Sequence, residues 1–117
     1  MIMITLSRGQ IGYAAGLDTS VKSGLQILAP TWEMVMGVKN KTITEAEYIE
    51  DYKNSLDFYE TRILRYLREM DTKHWTFLCY CRDEWFCHTY ILIEWLVTKF
   101  PSEFTTTINC KNGRKIS

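Results

Sequence analysis

The stretch from Thr44 to Met70 separates two short apolar, β-branched runs, and that spacing limits the fold more than any other feature of the chain. Thr44, Glu45, Ala46 and Glu47 read as a capping box, in which a threonine hydroxyl and a glutamate three residues on satisfy each other's backbone N–H groups. Ile43 stands where it can staple onto Tyr48. Apolar residues then recur at Tyr48, Tyr52, Leu56, Tyr59, Ile63, Tyr66, Leu67 and Met70, the steps of three and four that mark one helical face. A helix over 45–69 is about 37 Å long at 1.5 Å per residue, so a break near Asn54 and Ser55 is expected. Strand, long helix and second strand together predict a right-handed crossover and parallel pairing.

The flanking runs supply the strands. Ile2 to Leu6 reads as a first, central strand covered on both faces, and Trp75 to Tyr80 as a second. The segment from Ser7 to Gly16 has glycines at 9, 12 and 16, which fits a loop but no phosphate-binding glycine motif. Leu25 to Leu28 suits a short strand. Pro30 opens a short helix that Gly37 ends, with Trp32, Val35 and Met36 on one face and Trp32 in the core. From Cys87 to Phe100 a helix is apolar nearly all round, so it is either sandwiched in the fold or used to pair two copies as a homodimer. Phe104, Thr106 and Ile108 alternate with polar neighbours, as a half-exposed strand does. The expected architecture is α/β: a single three-layer domain over 1–110, with a small, mainly parallel sheet flanked by helices and a basic, frayed tail over 111–117.

Charge and cysteine usage narrow the function classes. Fourteen basic and fourteen acidic side chains cancel, so no long-range field draws the chain to nucleic acid or an anionic membrane. Its apolar runs are far short of the ~20 residues that span a bilayer, and the start lacks a basic leader region. A cytoplasmic protein is expected. Three of its four cysteines fall between Cys79 and Cys87, a clustering that suits free thiols in a reducing compartment.

That cluster marks the candidate site. Cys81 to Phe86 form the loop after a parallel strand, and Cys87 and His88 the first turn of the next helix, where free N–H groups favour an anion and a thiolate. Cys81, Cys87 and His88 are the catalytic candidates. Neighbouring helical residues diverge by about 100°, so Cys87 with His88 makes a poor dyad and Cys81 with His88 a better one. Arg8, Asp18, Lys22, Trp32, Tyr48, Tyr80, Arg82, Trp85 and Phe86 are the ligand-binding candidates. The leading expectation is recognition of a small phosphorylated or nucleotide-like ligand, without a cofactor. A thiol-dependent enzyme on such a substrate is the alternative, and a homodimeric interaction module a third. Cys79, Cys81, Cys87 and His88 offer four soft ligands but not the two separated knuckles of an ordinary zinc site, so no metal is assigned. Cys79, inside the strand, reads as a small buried hydrophobe. The phosphatase-type loop is excluded because Cys87, not arginine, follows Cys81 at the critical spacing.

Leu78-Cys79-Tyr80-Cys81, followed by Phe86-Cys87-His88 and an apolar helix, resembles the family known as domain of unknown function 488. Supporting matches run through Leu17 to Gly24, Ala29 to Trp32, and Ile43 to Tyr48 with Tyr52. The resemblance implies a compact α/β domain of the kind common in bacteria and phages. The family pattern reads Cys-His-Arg, whereas position 89 here is threonine. That departure implies either a weakened catalytic inheritance or replacement of the arginine by Arg82. With the short chain, it suits a phage-encoded variant that sequesters a host nucleotide signal.

Overall fold

β1 runs from Ile4 to Gln10, and every second side chain from Ile4 through Leu6 to Arg8 is buried. The structure, a computed structural model, describes residues 3–69 and 72–116; Ile2 and Met70 therefore lie outside the described residues. The strand passes through the glycine-bearing segment that was expected to be loop, because Gly9 has another chain segment across it. A Cβ on Gly9 would meet the Ala14 Cβ at 2.7 Å. The loop proper is 11–16, which folds back over that face of the sheet.

Leu17 and Asp18 form β2, His74–Cys79 form β3 and Phe104–Thr106 form β4. The sheet order is β2-β3-β1-β4, and all its pairings are parallel. β1 is thus an interior strand, as expected. Register places Leu6 beside Trp75 and Thr106, and Arg8 beside Phe77, so the apolar face runs straight into an arginine at its carboxyl end. The other face carries Thr5, Ser7 and Thr76, with Ser7 Oγ hydrogen-bonded to Thr76 Oγ1 and His74 Nε2. His74 sits exposed at the start of the strand. The helices gather on the apolar face, and the 11–16 loop lies against the other.

The expected strand at Leu25 to Leu28 is absent. These residues form turns, with the Leu28 N–H donating to the Leu25 carbonyl, and Ile27 and Leu28 drop into the core. α1, Trp32–Lys39, starts from a Thr31 cap rather than from Pro30. Met34 and Gly37 are its buried residues, while Trp32 is exposed, which corrects its placement in the core. Gly37 is inside the helix because Ile43 fills the space its missing side chain leaves.

α2 spans Glu45–Phe58 and α3 Glu60–Glu69. The capping box forms as read, with both Thr44–Glu47 hydrogen bonds present. The break falls at Tyr59, four residues beyond Ser55, and Leu56 and Ile63 on either side of it are buried in one core. Tyr48, Tyr52, Leu56, Ile63 and Leu67 are buried, and each buried side chain of that size contributes roughly 1.5–3 kcal/mol. Tyr52 satisfies its hydroxyl by donating to the Leu28 carbonyl at 2.6 Å.

α4, His88–Lys99, has Cys87 as its N-cap and is buried over His88 to Ile93 and at Trp95 and Leu96. Its apolar girth is spent inside the protomer, the first of the two alternatives, and its last turn exposes Thr98 and Lys99. No helix among the described residues is long and apolar enough to cross a membrane.

Within the segment expected to fray, the described residues include a hairpin. Cys110–Lys111 (β5) and Arg114–Lys115 (β6) form an antiparallel hairpin. Asn112 and Gly113 at its turn have φ values of 53° and 77°, the paired positive angles of a tight Asn-Gly turn.

Candidate functional site

The site begins with Arg8, whose side chain is only 2% exposed. β1 delivers the guanidinium to the start of α4, where each of its nitrogens finds a partner. Nη1 donates to Asp83 Oδ1 at 2.7 Å, Nη2 to the Cys81 carbonyl at 2.8 Å, and Nε to Thr89 Oγ1 at 3.3 Å. Nη2 also stands 3.8 Å from Cys87 Sγ, and the guanidinium carbon 5.4 Å from the centre of the Tyr90 ring. Burial works against this charge, but the negative charge available at Cys87 and the Asp83 carboxylate more than offset it, and the Arg8 pKa is raised.

Arg8, not Arg82, supplies the buried cation. Arg82 is exposed and lies over the Trp85 ring at 5.4 Å. Threonine at 89 is the other half of this exchange: its short side chain accepts from Arg8 and donates to Cys87 Sγ at 3.1 Å.

Cys87 thereby gathers the features that stabilise a thiolate. Its Sγ receives the Thr89 hydroxyl, lies near the Arg8 guanidinium, and stands at the amino end of a helix. Burial raises the thiol pKa, yet hydrogen bonds from Cys79 and Cys81 and the charge of His88 carry it well below the ordinary value. Cys81 moves the opposite way, because hydrogen bonding to Cys79 and Cys87 and its own burial keep it protonated.

His88 is fully enclosed. Nε2 lies 2.8 Å from the Thr19 carbonyl oxygen, so this nitrogen carries a proton. The Thr19 hydroxyl donates to the Leu78 carbonyl and offers its lone pair to the same Nε2 at 2.9 Å. Nδ1 is thereby turned to the sulfurs, 3.9 Å from both Cys79 and Cys87. Cys87, not Cys81, is therefore the catalytic-candidate thiol that faces His88, which corrects the expected pairing: Cys87 is an extended N-cap rather than a helical residue, so the divergence of successive helical side chains does not apply to it. Burial lowers the imidazole pKa, but the facing Cys87 thiolate outweighs it and pushes the value up to about 10. The Tyr52 ring meets the imidazole edge-on at 5.5 Å. Sγ of Cys79, Cys81 and Cys87 lie within 4.8 Å of one another.

A cover closes over this group. Tyr90 Oη donates to the Asp83 carbonyl at 2.6 Å, fixing the loop, and the Cys87 N–H donates to the Gly113 carbonyl at 2.8 Å. Phe86 lies between the Tyr48 ring, 5.1 Å away, and the hairpin turn, where a Cβ on Gly113 would strike it at 2.4 Å. Two surface clefts lie elsewhere. One of about 510 Å³ lies between α4 and the β5–β6 hairpin, and one of about 440 Å³ lies along α3 beside Arg62 and Arg65.

Of the residues singled out in the sequence, Arg8, Cys81, Cys87 and His88 converge. Tyr48 and Phe86 support the cover, and Tyr80 and Trp85 stand exposed on the loop. Asp18 is turned to its own loop, accepting from the Ser20 N–H and the Ser23 hydroxyl. Lys22 is exposed on that turn and Trp32 at the start of α1; among the described residues neither is hydrogen-bonded to the Arg8 group. Thr19, Asp83, Thr89 and Gly113 were not foreseen. Thr89 had a signal in the Cys-His-Thr departure, whereas the other three are brought in only by the fold.

Residues 11–100 match the model of the family described as DUF488-N3a, the active DUF488-N3 subclade. No curated protein and no solved structure matches the chain. The matched span begins after β1, so Arg8 lies outside it.

Proposed function

The chain belongs to the DUF488 family, and we propose that it binds a small phosphorylated or nucleotide-like ligand where Arg8 meets the start of α4. The observation that carries this reading is the asymmetry of the Arg8–Asp83 pair. The arginine side chain is 2% exposed and held by fixed neighbours, while its carboxylate partner is 63% exposed on a loop. Asp83 fills an anion site with an exposed side chain, and a ligand phosphate takes its place when that carboxylate turns outward on a loop whose backbone stays held by Tyr90. Helix N–H groups and a buried guanidinium are the usual donors to such a group. Tyr80 and Trp85, half-exposed on the same loop, offer aromatic faces to a base.

A thermal-shift series with phosphate, sulfate and nucleoside mono- and diphosphates tests this, because a ligand that binds the native state raises its apparent stability. Arg8→Met should abolish the shift and Asp83→Asn should enlarge it. A shift that survives in Arg8→Met places the ligand elsewhere. If the protein sequesters its ligand, the compound released on denaturation is unchanged.

A second reading has its own support in the Cys87 environment. There the Cys87 thiolate, steadied by Thr89 and Arg8, bonds to an electrophilic carbon of a bound nucleotide-like substrate while that carbon's bond to its leaving group breaks, and the leaving group takes a proton from His88, whose Nδ1 faces the thiolate. Substrate turnover that disappears in Cys87→Ser and persists in Cys110→Ser is the result it requires.

A further inference from the structure

Cys79 ends β3, Cys81 lies in the bend that follows, and Cys87 caps α4, yet their sulfurs converge within 4.8 Å of one another. Alternate residues of a straight strand point to the same side, but here the chain leaves the strand at Tyr80, and Cys81 still returns to Cys79 at 3.6 Å. All four cysteines are free. A tetrahedral ion with metal–sulfur bonds of about 2.3 Å holds its sulfurs about 3.8 Å apart, a value these separations bracket.

His88 stands beside the three thiols and offers a fourth donor. Its Nδ1 is 3.9 Å from two of the three sulfurs, and its Nε2 donates to the Thr19 backbone carbonyl. Metal-bound histidines are typically oriented in this way, one nitrogen on the ion and the other on a carbonyl. Charge fits as well. Three thiolates around a divalent cation leave one net negative charge, and Arg8 brings one positive charge to 3.8 Å from Cys87 Sγ. Thr89 adds a hydroxyl donor to the same sulfur at 3.1 Å.

We propose that Cys79, Cys81, Cys87 and His88 form a closed, four-coordinate site for a soft divalent cation of the zinc type. Sequence spacing alone argued against it, because zinc sites are recognised by two separated knuckles. The strand end and helix start replace those knuckles. Each coordinating thiol gives up its proton, and the imidazole binds as the neutral ring through Nδ1. The ion pins the end of β3, the 80–87 loop and the first turn of α4 to one another. With Cys87 so engaged, anion binding at Arg8 remains available while thiol nucleophilicity does not.

The test uses the full chain, purified reduced, without oxygen or chelator. Elemental analysis should give about one zinc per chain, and cobalt substitution should give thiolate-to-cobalt charge-transfer absorption with the visible bands of a tetrahedral ion. Cys81→Ser should weaken zinc in competition with a chromophoric chelator by more than about tenfold, and Cys110→Ser should leave it unchanged. Lack of both zinc and the cobalt bands in folded, reduced wild-type protein overturns the proposal. So does equal loss in Cys81→Ser and Cys110→Ser. Because the decisive spectra are those of the wild type, a variant that fails to fold does not decide the matter.

Discussion

His88 Nε2 lies 2.8 Å from the carbonyl oxygen of Thr19, a backbone atom 69 positions earlier in the chain. The carbonyl fixes the ring's orientation, and with it the face that Nδ1 presents to the thiols. His88→Ala removes a buried ring and leaves the Thr19 hydroxyl lone pair without its donor, so a loss of about 2–4 kcal/mol is expected. Urea unfolding measures it. A loss below about 1 kcal/mol would show that the ring is not held as described.

Arg8 and Asp83 should respond unequally. Arg8→Met strands the Cys81 carbonyl and the Thr89 hydroxyl among buried neighbours and is expected to cost about 1–3 kcal/mol. Asp83→Asn, at an exposed position, should change stability by less than about 0.5 kcal/mol. Chemical unfolding of the two variants side by side checks the difference.

The capping box offers a local test. Thr44→Ala removes the acceptor for the Glu47 N–H and should cost about 1 kcal/mol through α2 alone. The urea midpoint should fall with no change in slope, since the surface exposed on unfolding stays the same.

Glu103 and Asp57 set an acid limb. The Arg68 guanidinium holds the Glu103 carboxyl below its ordinary range, and hydrogen bonds from Lys99 and Trp95 do the same for Asp57. Each binds its proton less readily when folded. The stabilisation is therefore complete above the unfolded-state value, near pH 4, and is lost as the pH falls through the lower folded value. Glu103→Gln combined with Asp57→Asn should flatten thermal stability over roughly pH 2–4 relative to the wild type.

Two glycines should separate space from backbone. Gly12 has φ of +96° and open surroundings, so Gly12→Ala carries only conformational strain of roughly 1 kcal/mol. Gly113 has φ of +77° and Phe86 across it, so Gly113→Ala should cost more and loosen the cover. Alkylation of Cys87 in the folded, reduced and metal-free protein, followed by mass spectrometry, should speed up in the second variant and not in the first.

What the sequence made legible followed local rules. The Thr44 capping box, the Tyr48–Tyr52–Leu56 face and the α4 girdle repeat at a helical period, and a period survives whatever packs against it. The Cys87–His88 neighbourhood was legible because a parallel strand followed by a helix places its loop at the carboxyl edge. Tertiary contacts decided the rest. β1 continued through Gly9 because Ala14 crosses it, and Leu25 to Leu28 turned inward because Tyr52 needed the Leu28 carbonyl. Asp83 and Thr19 gave no signal, since an exposed loop aspartate and a lone threonine look like any others until Arg8 and His88 reach them.

The cover over the start of α4 is held by contacts outside the parallel sheet: the Cys87 N–H donates to the Gly113 carbonyl, and Phe86 packs against the hairpin turn. Among the described residues β5 and β6 pair with each other and with no strand of the four-stranded sheet. Lifting the hairpin therefore uncovers the thiols and Arg8 without breaking a strand pairing of that sheet, and opening of the site is expected to cost less than global unfolding.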